Sequence, residues 1–121
     1  MATIKSYTDI EQSKKLADIL PLESADMCWQ QIYDENHMMS DYRVELIPYK
    51  LYSGIGVPCW SLASLLGIMI CPNLEEYIEG VWDLTTFTDN TLKTPIEIQD
   101  CKDPVDACVT MIEKLHERKM L

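Results

Sequence analysis

The segment from Asp103 to Lys119 constrains this chain more than any other. Pro104 suits the first turn of a helix, because the amide it lacks would have no partner there. Asp103 before it is an N-cap, and Val105, Cys108, Val109, Ile112 and Leu115 recur at helical spacing as one apolar stripe. Asp106 near the start and Lys114, Arg118 and Lys119 near the end suit the helix dipole. The chain has material to cover such a stripe. Of its 121 residues 47% are hydrophobic, which supports a core and argues against disorder.

Two more helices are predicted. Thr8 is the expected N-cap of a helix over residues 9–20, with Glu11 closing a capping box. Pro21 ends it. A second helix is expected to begin near Pro58 to Ser61 and to run to Ile70, with Leu62, Leu65, Leu66 and Met69 at helical spacing and Pro72 as its stop. Between and after these lie strand patterns. Met27 to Tyr33 alternates, and so does Tyr42 to Ile47. Glu75 to Thr88 is rich in β-formers, with Gly80 as a bulge or a tight turn between two strands. Thr94 to Gln99 reads as an edge strand opened by Pro95. The expectation is a single α+β domain over residues 1–121: an antiparallel or mixed sheet of four to five strands packed by three helices.

Charge narrows the function classes. Asp and Glu number 20 against 10 Lys and Arg, a net charge of −10. Such a chain repels phosphate backbones and anionic membrane surfaces, so neither direct nucleic-acid binding nor membrane association is expected. No Lys or Arg occurs between Leu16 and Tyr42, nor between Leu51 and Leu92. A solvated acidic face accounts for this pattern. The functional alternatives are a patch for a basic protein, or an imitation of a phosphate backbone with acids in rows along one face.

The five cysteines, Cys28, Cys59, Cys71, Cys101 and Cys108, are odd in number and lack C-x-x-C spacing. Free buried thiols in a reducing, cytoplasmic compartment are the simplest account. The start of the chain shows no apolar signal core, and the stretch from Val57 to Cys71 is too short to span a bilayer.

Motifs for chemistry are weak throughout. His37 is the one histidine in a polar loop and would need to meet Cys28 or Cys59 to form a nucleophile–base pair. His116 reads as a helix-end residue. No metal-ligand spacing is present, Ser53-Gly54-Ile55-Gly56 is not a phosphate loop, and Glu75, Glu76 and Glu79 near Tyr77 are chance neighbours in so acidic a chain. No catalytic residue, cofactor or metal is therefore assigned. Trp29, Trp60 and Trp82, with Tyr33, Tyr77 and Phe87, build either an aromatic core or a ligand pocket. If exposed, they suit a partner interface.

Four blocks carry a resemblance: residues 7–16 (YTDIEQSKKL), 23–29 (ESADMCW), 57–62 (VPCWSL) and 103–108 (DPVDAC). They resemble a family of small uncharacterised proteins of Bacteroides-type gut bacteria and their phages or mobile elements. The resemblance implies an accessory cytosolic protein and brings no catalytic residue with it.

The sequence thus points first to a non-enzymatic protein-interaction module with a protein partner, a basic one being suited to the acidic surface, and leaves the oligomeric state open. The alternatives are an acidic mimic of nucleic acid and a ligand-binding or enzymatic domain with a cleft near Cys59-Trp60. An exposed Cys59 beside His37 would favour the enzyme; a buried Cys59 would remove it. The residues singled out for a pocket or interface are Trp29, His37, Cys59, Trp60 and Trp82.

Overall fold

The C-terminal apolar stripe becomes helix α3 (Pro104–Glu117), and every position of it is buried, together with Ala107 and Met111. A computed structural model describes residues 6–33, 39–45, 56–88 and 91–119 of the chain. Asp103 caps α3 by accepting from the amides of Val105 at 2.8 Å and Asp106 at 3.3 Å. Two of the first-turn donors are satisfied in this way, and Pro104 removes a third.

Helix α1 (Ile10–Ala17) starts one residue later than the pattern suggested. Asp9 is the cap, and its capping box closes with Gln12 in place of Glu11. Asp9 Oδ1 accepts the Gln12 amide at 2.8 Å, and Gln12 Oε1 accepts the Asp9 amide at 3.1 Å. Thr8, expected as the cap, is drawn into the interior. A single 3₁₀ turn (Leu22–Ser24) follows Pro21 and leads into the first sheet.

That sheet has three strands in the order β2-β1-β3, all antiparallel: β1 (Met27–Tyr33), β2 (Met39–Glu45) and β3 (Gly56–Cys59). Strand β1 has the bounds the alternation predicted. β2 lies three residues earlier than expected, and residues 46–47 of that expectation are outside the described residues. Pro58, expected at a helix start, is in the edge strand β3 opposite Cys28. An edge position tolerates a residue with no amide to give to a ladder.

Helix α2 (Leu62–Ile68) is capped by Ser61, whose Oγ accepts the Ser64 amide at 3.2 Å. The chain then passes at Met69 straight into an antiparallel sheet of order β4-β5-β6: β4 (Ile70–Ile78), β5 (Val81–Phe87) and β6 (Pro95–Cys101). The helix stop expected at Pro72 is therefore a strand residue, and Cys71 with φ 45° marks the irregular start of that strand. Gly80, at φ 79°, forms the tight turn between β4 and β5, and its amide donates to Glu76 Oε2 at 2.9 Å. Only glycine takes that backbone conformation without steric cost.

The fold is α+β with three α-helices. One sheet of four to five strands is corrected to two antiparallel sheets of three strands each among the described residues. The difference lies in pairing, which is non-local: β1 takes β2 and β3 as its neighbours and β5 takes β4 and β6, and no ladder joins the two sets among the described residues. Helix α3 packs on β5, β6 and α2, while α1 packs on β3. One hydrophobic cluster joins Leu16 and Leu20, Trp60, Leu65, Leu84 and Ile96 to the buried face of α3. In the second sheet Leu84 faces this core opposite Leu74 and Ile98, while Thr85 faces outward opposite Asn73 and Glu97. The pleat puts alternate residues on opposite faces, and this sorting defines the outer surface.

Candidate functional site

Three of the five singled-out residues meet at one place, and that place is inside. Cys59 and Trp60 have 0% of their surface exposed. Thr8, equally buried, joins them. Its Oγ1 accepts the Trp60 amide at 3.2 Å and lies 2.7 Å from Ser13 Oγ and 3.4 Å from Cys59 Sγ. The Cys59 thiol donates to the Thr8 carbonyl at 3.3 Å, and the Trp29 indole N–H donates to that same oxygen at 2.9 Å. The Thr8 amide in turn donates to the Trp60 carbonyl at 2.9 Å. The Trp60 indole N–H reaches Ser24 Oγ at 2.9 Å, and Tyr7 meets Trp29 edge to face at 5.4 Å. Asp26 accepts both the amide of Ser61 at 2.9 Å and its hydroxyl at 2.5 Å, which fastens the start of α2 to the residue before β1.

These bonds join the chain ahead of α1 to the end of β3 and the start of α2. They satisfy buried polar groups that would otherwise lose their hydration uncompensated. They do not make a reactive thiol. Burial pushes the Cys59 pKa up, only partly offset by the hydrogen bonds from Thr8 and Ser13. A thiol nucleophile needs a low pKa and access. The cleft considered near Cys59-Trp60 is therefore closed, and the thiol route through Cys59 has no basis in the geometry. His37 lies outside the described residues.

Trp82 stands apart on β5, half-buried between Glu76 of β4 and Cys101 of β6, with its indole nitrogen buried and without a hydrogen-bond partner among the described residues. The remaining thiols divide. Cys28 and Cys108 are buried and Cys101 is half-buried, but Cys71 is exposed, which corrects the expectation of burial for all five. Tyr77, grouped with the aromatic core, is 50% exposed.

The surface feature that stands out is the outer face of β4-β5-β6. Glu75 faces Asp83 directly across the β4-β5 pair, and Thr85 separates Asn73 from Glu97 in the next row. Asp100 completes the group, with its amide donating to Asp83 Oδ1 at 3.1 Å and its carboxylate accepting the Tyr77 hydroxyl from across β5. That hydrogen bond, with some desolvation and the charges of Asp100 and Asp83, pushes the Tyr77 pKa up to about 12. Asn73, Glu75, Asp83, Thr85, Glu97 and Gln99 line a shallow concavity of about 170 Å³ on this face. The three strands contain five acids and no Lys, Arg or His. Like charges directly opposite on neighbouring strands destabilise a sheet, so setting Glu75 against Asp83 costs the fold stability, even though Asp83 also holds the Asp100 amide.

The sequence treated Glu75 and its neighbours as chance. The signal that identifies the face is alternation: Asp83 between Trp82 and Leu84, and Glu97 between Ile96 and Ile98, each the polar half of a half-buried strand. Among the described residues no group of three or more His, Cys, Asp or Glu is arranged to hold a metal ion, and no helix is long and apolar enough to cross a membrane. No protein-family model, curated protein or solved structure matches the chain.

Proposed function

We propose that this chain is a non-enzymatic binding module whose outer β4-β5-β6 face engages a basic protein. The observation that supports this most is the like-charge row of Glu75 against Asp83, with Glu97 and Asp100 beside it and no cation on the three strands. A field of one sign steers an oppositely charged partner and rejects polyanions. The resemblance to small uncharacterised proteins of gut bacteria and their phages implies an accessory protein, and a binding role is compatible with that.

The test compares the native chain with a Glu75→Gln/Asp83→Asn/Glu97→Gln variant, each immobilised and exposed to bacterial lysate at low and at high salt. The native chain retains basic proteins at low salt, releases them at high salt, and the variant retains few. Equal retention by both chains, or by neither, overturns the proposal. A second reading, imitation of a phosphate backbone, is favoured by acids lying in adjacent rows on one face. It adds one requirement: duplex DNA displaces the retained protein.

A further inference from the structure

The acidic face ends at a strand edge, and the edge has its own chemistry. β4 is nine residues long and is bonded to β5 on one side only; among the described residues no strand pairs with its other side. An edge strand presents a row of unpaired amides and carbonyls to any strand that can lie beside it. Proteins blunt such edges with lysines, prolines, bulges or short length. β4 has Pro72 beside the left-handed Cys71, and an irregularity between Glu76 and Ile78. From Asn73 to Glu76 the register against β5 is continuous, and the charges on it are Glu75 and Glu76, which guard the edge against an acidic or like strand and leave it open to a basic one. At its end Tyr77 and Ile78 are 50% and 58% exposed, apolar surface unusual beside so many acids. The opposite edge differs: β6 opens with Pro95, is irregular opposite the Trp82–Leu84 stretch, and has α3 packed on it.

We infer that β4 accepts an extended basic segment of a partner protein as an added strand. The inference rests on the reading of the outer face as the binding surface and names the mode of binding. Charge selects the occupant. Side chains on alternate positions of an added strand lie beside Glu75 and the outer row, and lysine or arginine there meets carboxylates. Apolar residues near the hairpin end cover Tyr77 and Ile78. A second copy of this chain fits poorly, because pairing β4 with β4 sets Glu75 and Glu76 among one another's carboxylates.

The probe is a capped peptide of alternating lysine and valine, titrated against the full native chain while amide hydrogen exchange is followed. Three relatives serve as comparisons: one N-methylated at every lysine, one N-methylated at every valine, and one with glutamate in place of lysine. In an added strand the amides that face the neighbour all belong to one alternating set. The parent peptide is expected to bind and to slow exchange across residues 73–78. One methylated peptide is expected to bind about a hundredfold more weakly, through the loss of several strand hydrogen bonds, and the other to bind like the parent. The glutamate peptide is expected not to bind.

Equal binding by the parent and both methylated peptides overturns strand addition and leaves the basic-partner reading standing. Protection of β6 in place of β4 overturns it in the same way. Failure of every lysine peptide to bind overturns both readings. Association of the chain with itself through β4, seen as protection of residues 73–78 that grows with protein concentration, also overturns the choice of occupant.

Discussion

Thr8→Val exchanges a buried hydroxyl for a methyl group of nearly the same shape, and its cost follows from the bonds it breaks. Thr8 Oγ1 accepts the Trp60 amide and is partner to Ser13 Oγ at 2.7 Å. Both groups lie where no surface is exposed. Valine leaves the Trp60 N–H without that acceptor and Ser13 without that partner. An unsatisfied buried donor costs about 1–3 kcal/mol and the second lost bond about 1 kcal/mol, so the substitution costs about 2–4 kcal/mol. The backbone bonds of Thr8, including the Cys59 thiol to its carbonyl, remain. Thr8→Ser keeps the hydroxyl and gives up one methyl, at about 1 kcal/mol. Urea unfolding followed by tryptophan fluorescence measures the order native, serine, valine, with unchanged m-values. For a chain of this length the valine variant loses about 10 °C in Tm. Adding Ser13→Ala to Thr8→Val recovers about 1 kcal/mol relative to additivity, since the stranded hydroxyl is gone. A valine variant within about 0.5 kcal/mol of the native chain, or one more stable than the serine variant, refutes the buried network as a structural device.

Gly67 is an exposed residue inside α2, and a Cβ built on it meets nothing within 4 Å. Gly67→Ala is therefore expected to stabilise the chain by about 0.5–1 kcal/mol in the same unfolding assay. Under native conditions a thiol reagent is expected to modify Cys71 first and to leave Cys59 and Cys108 untouched until unfolding; peptide mapping of the labelled chain reads this directly. Burial first, then the charges of Asp103 and Cys101, pushes the Cys108 pKa from 9.0 to about 12. The folded chain thus keeps a proton that the unfolded chain releases. The stabilisation is complete below pH 9 and is lost as pH rises from 9 towards 12. Unfolding free energies at pH 8 and pH 10 are expected to fall with pH, and to fall less in Cys108→Ala.

What the sequence made legible were the elements whose pattern is local. The α3 stripe, its Asp103 cap and the alternation of Met27 to Tyr33 needed no tertiary partner to be read, and each matches the structure. Thr8 failed as a cap for a tertiary reason. Its hydroxyl is committed to Ser13, Cys59 and Trp60, contacts that span up to 52 positions, and Asp9 takes the cap in its place. Pro58 and Pro72 looked like helix punctuation because an edge strand and a helix start both tolerate a missing amide. Residues 75–78 belong to the stretch whose β-formers predicted a strand, whereas the state of 56–59 and 70–74 is decided by the ladders opposite β1 and β5. The site was less legible than the fold. Of the five residues named for a pocket or interface, Trp29, Cys59 and Trp60 come together, but their indole and thiol groups are turned to backbone and hydroxyl partners; Trp82 stands apart on β5. Alternation within a strand sorts Asp83 and Glu97 to the outer side, but which acids meet depends on strand register, which sets Glu75 against Asp83 and Thr85 against Glu97.

In the proposed division of labour the interior holds the fold and the outer face binds. A double dissociation tests that separation. Affinity for the lysine–valine peptide and unfolding free energy are measured side by side for Glu75→Gln/Asp83→Asn/Glu97→Gln and for Thr8→Val. The face variant is predicted to bind at least about tenfold more weakly while unfolding within about 0.5 kcal/mol of the native chain or above it. Thr8→Val is predicted to lose stability and, below its unfolding temperature, to bind as the native chain does. A face variant that unfolds readily but binds normally, or a valine variant that stays stable and stops binding, contradicts it.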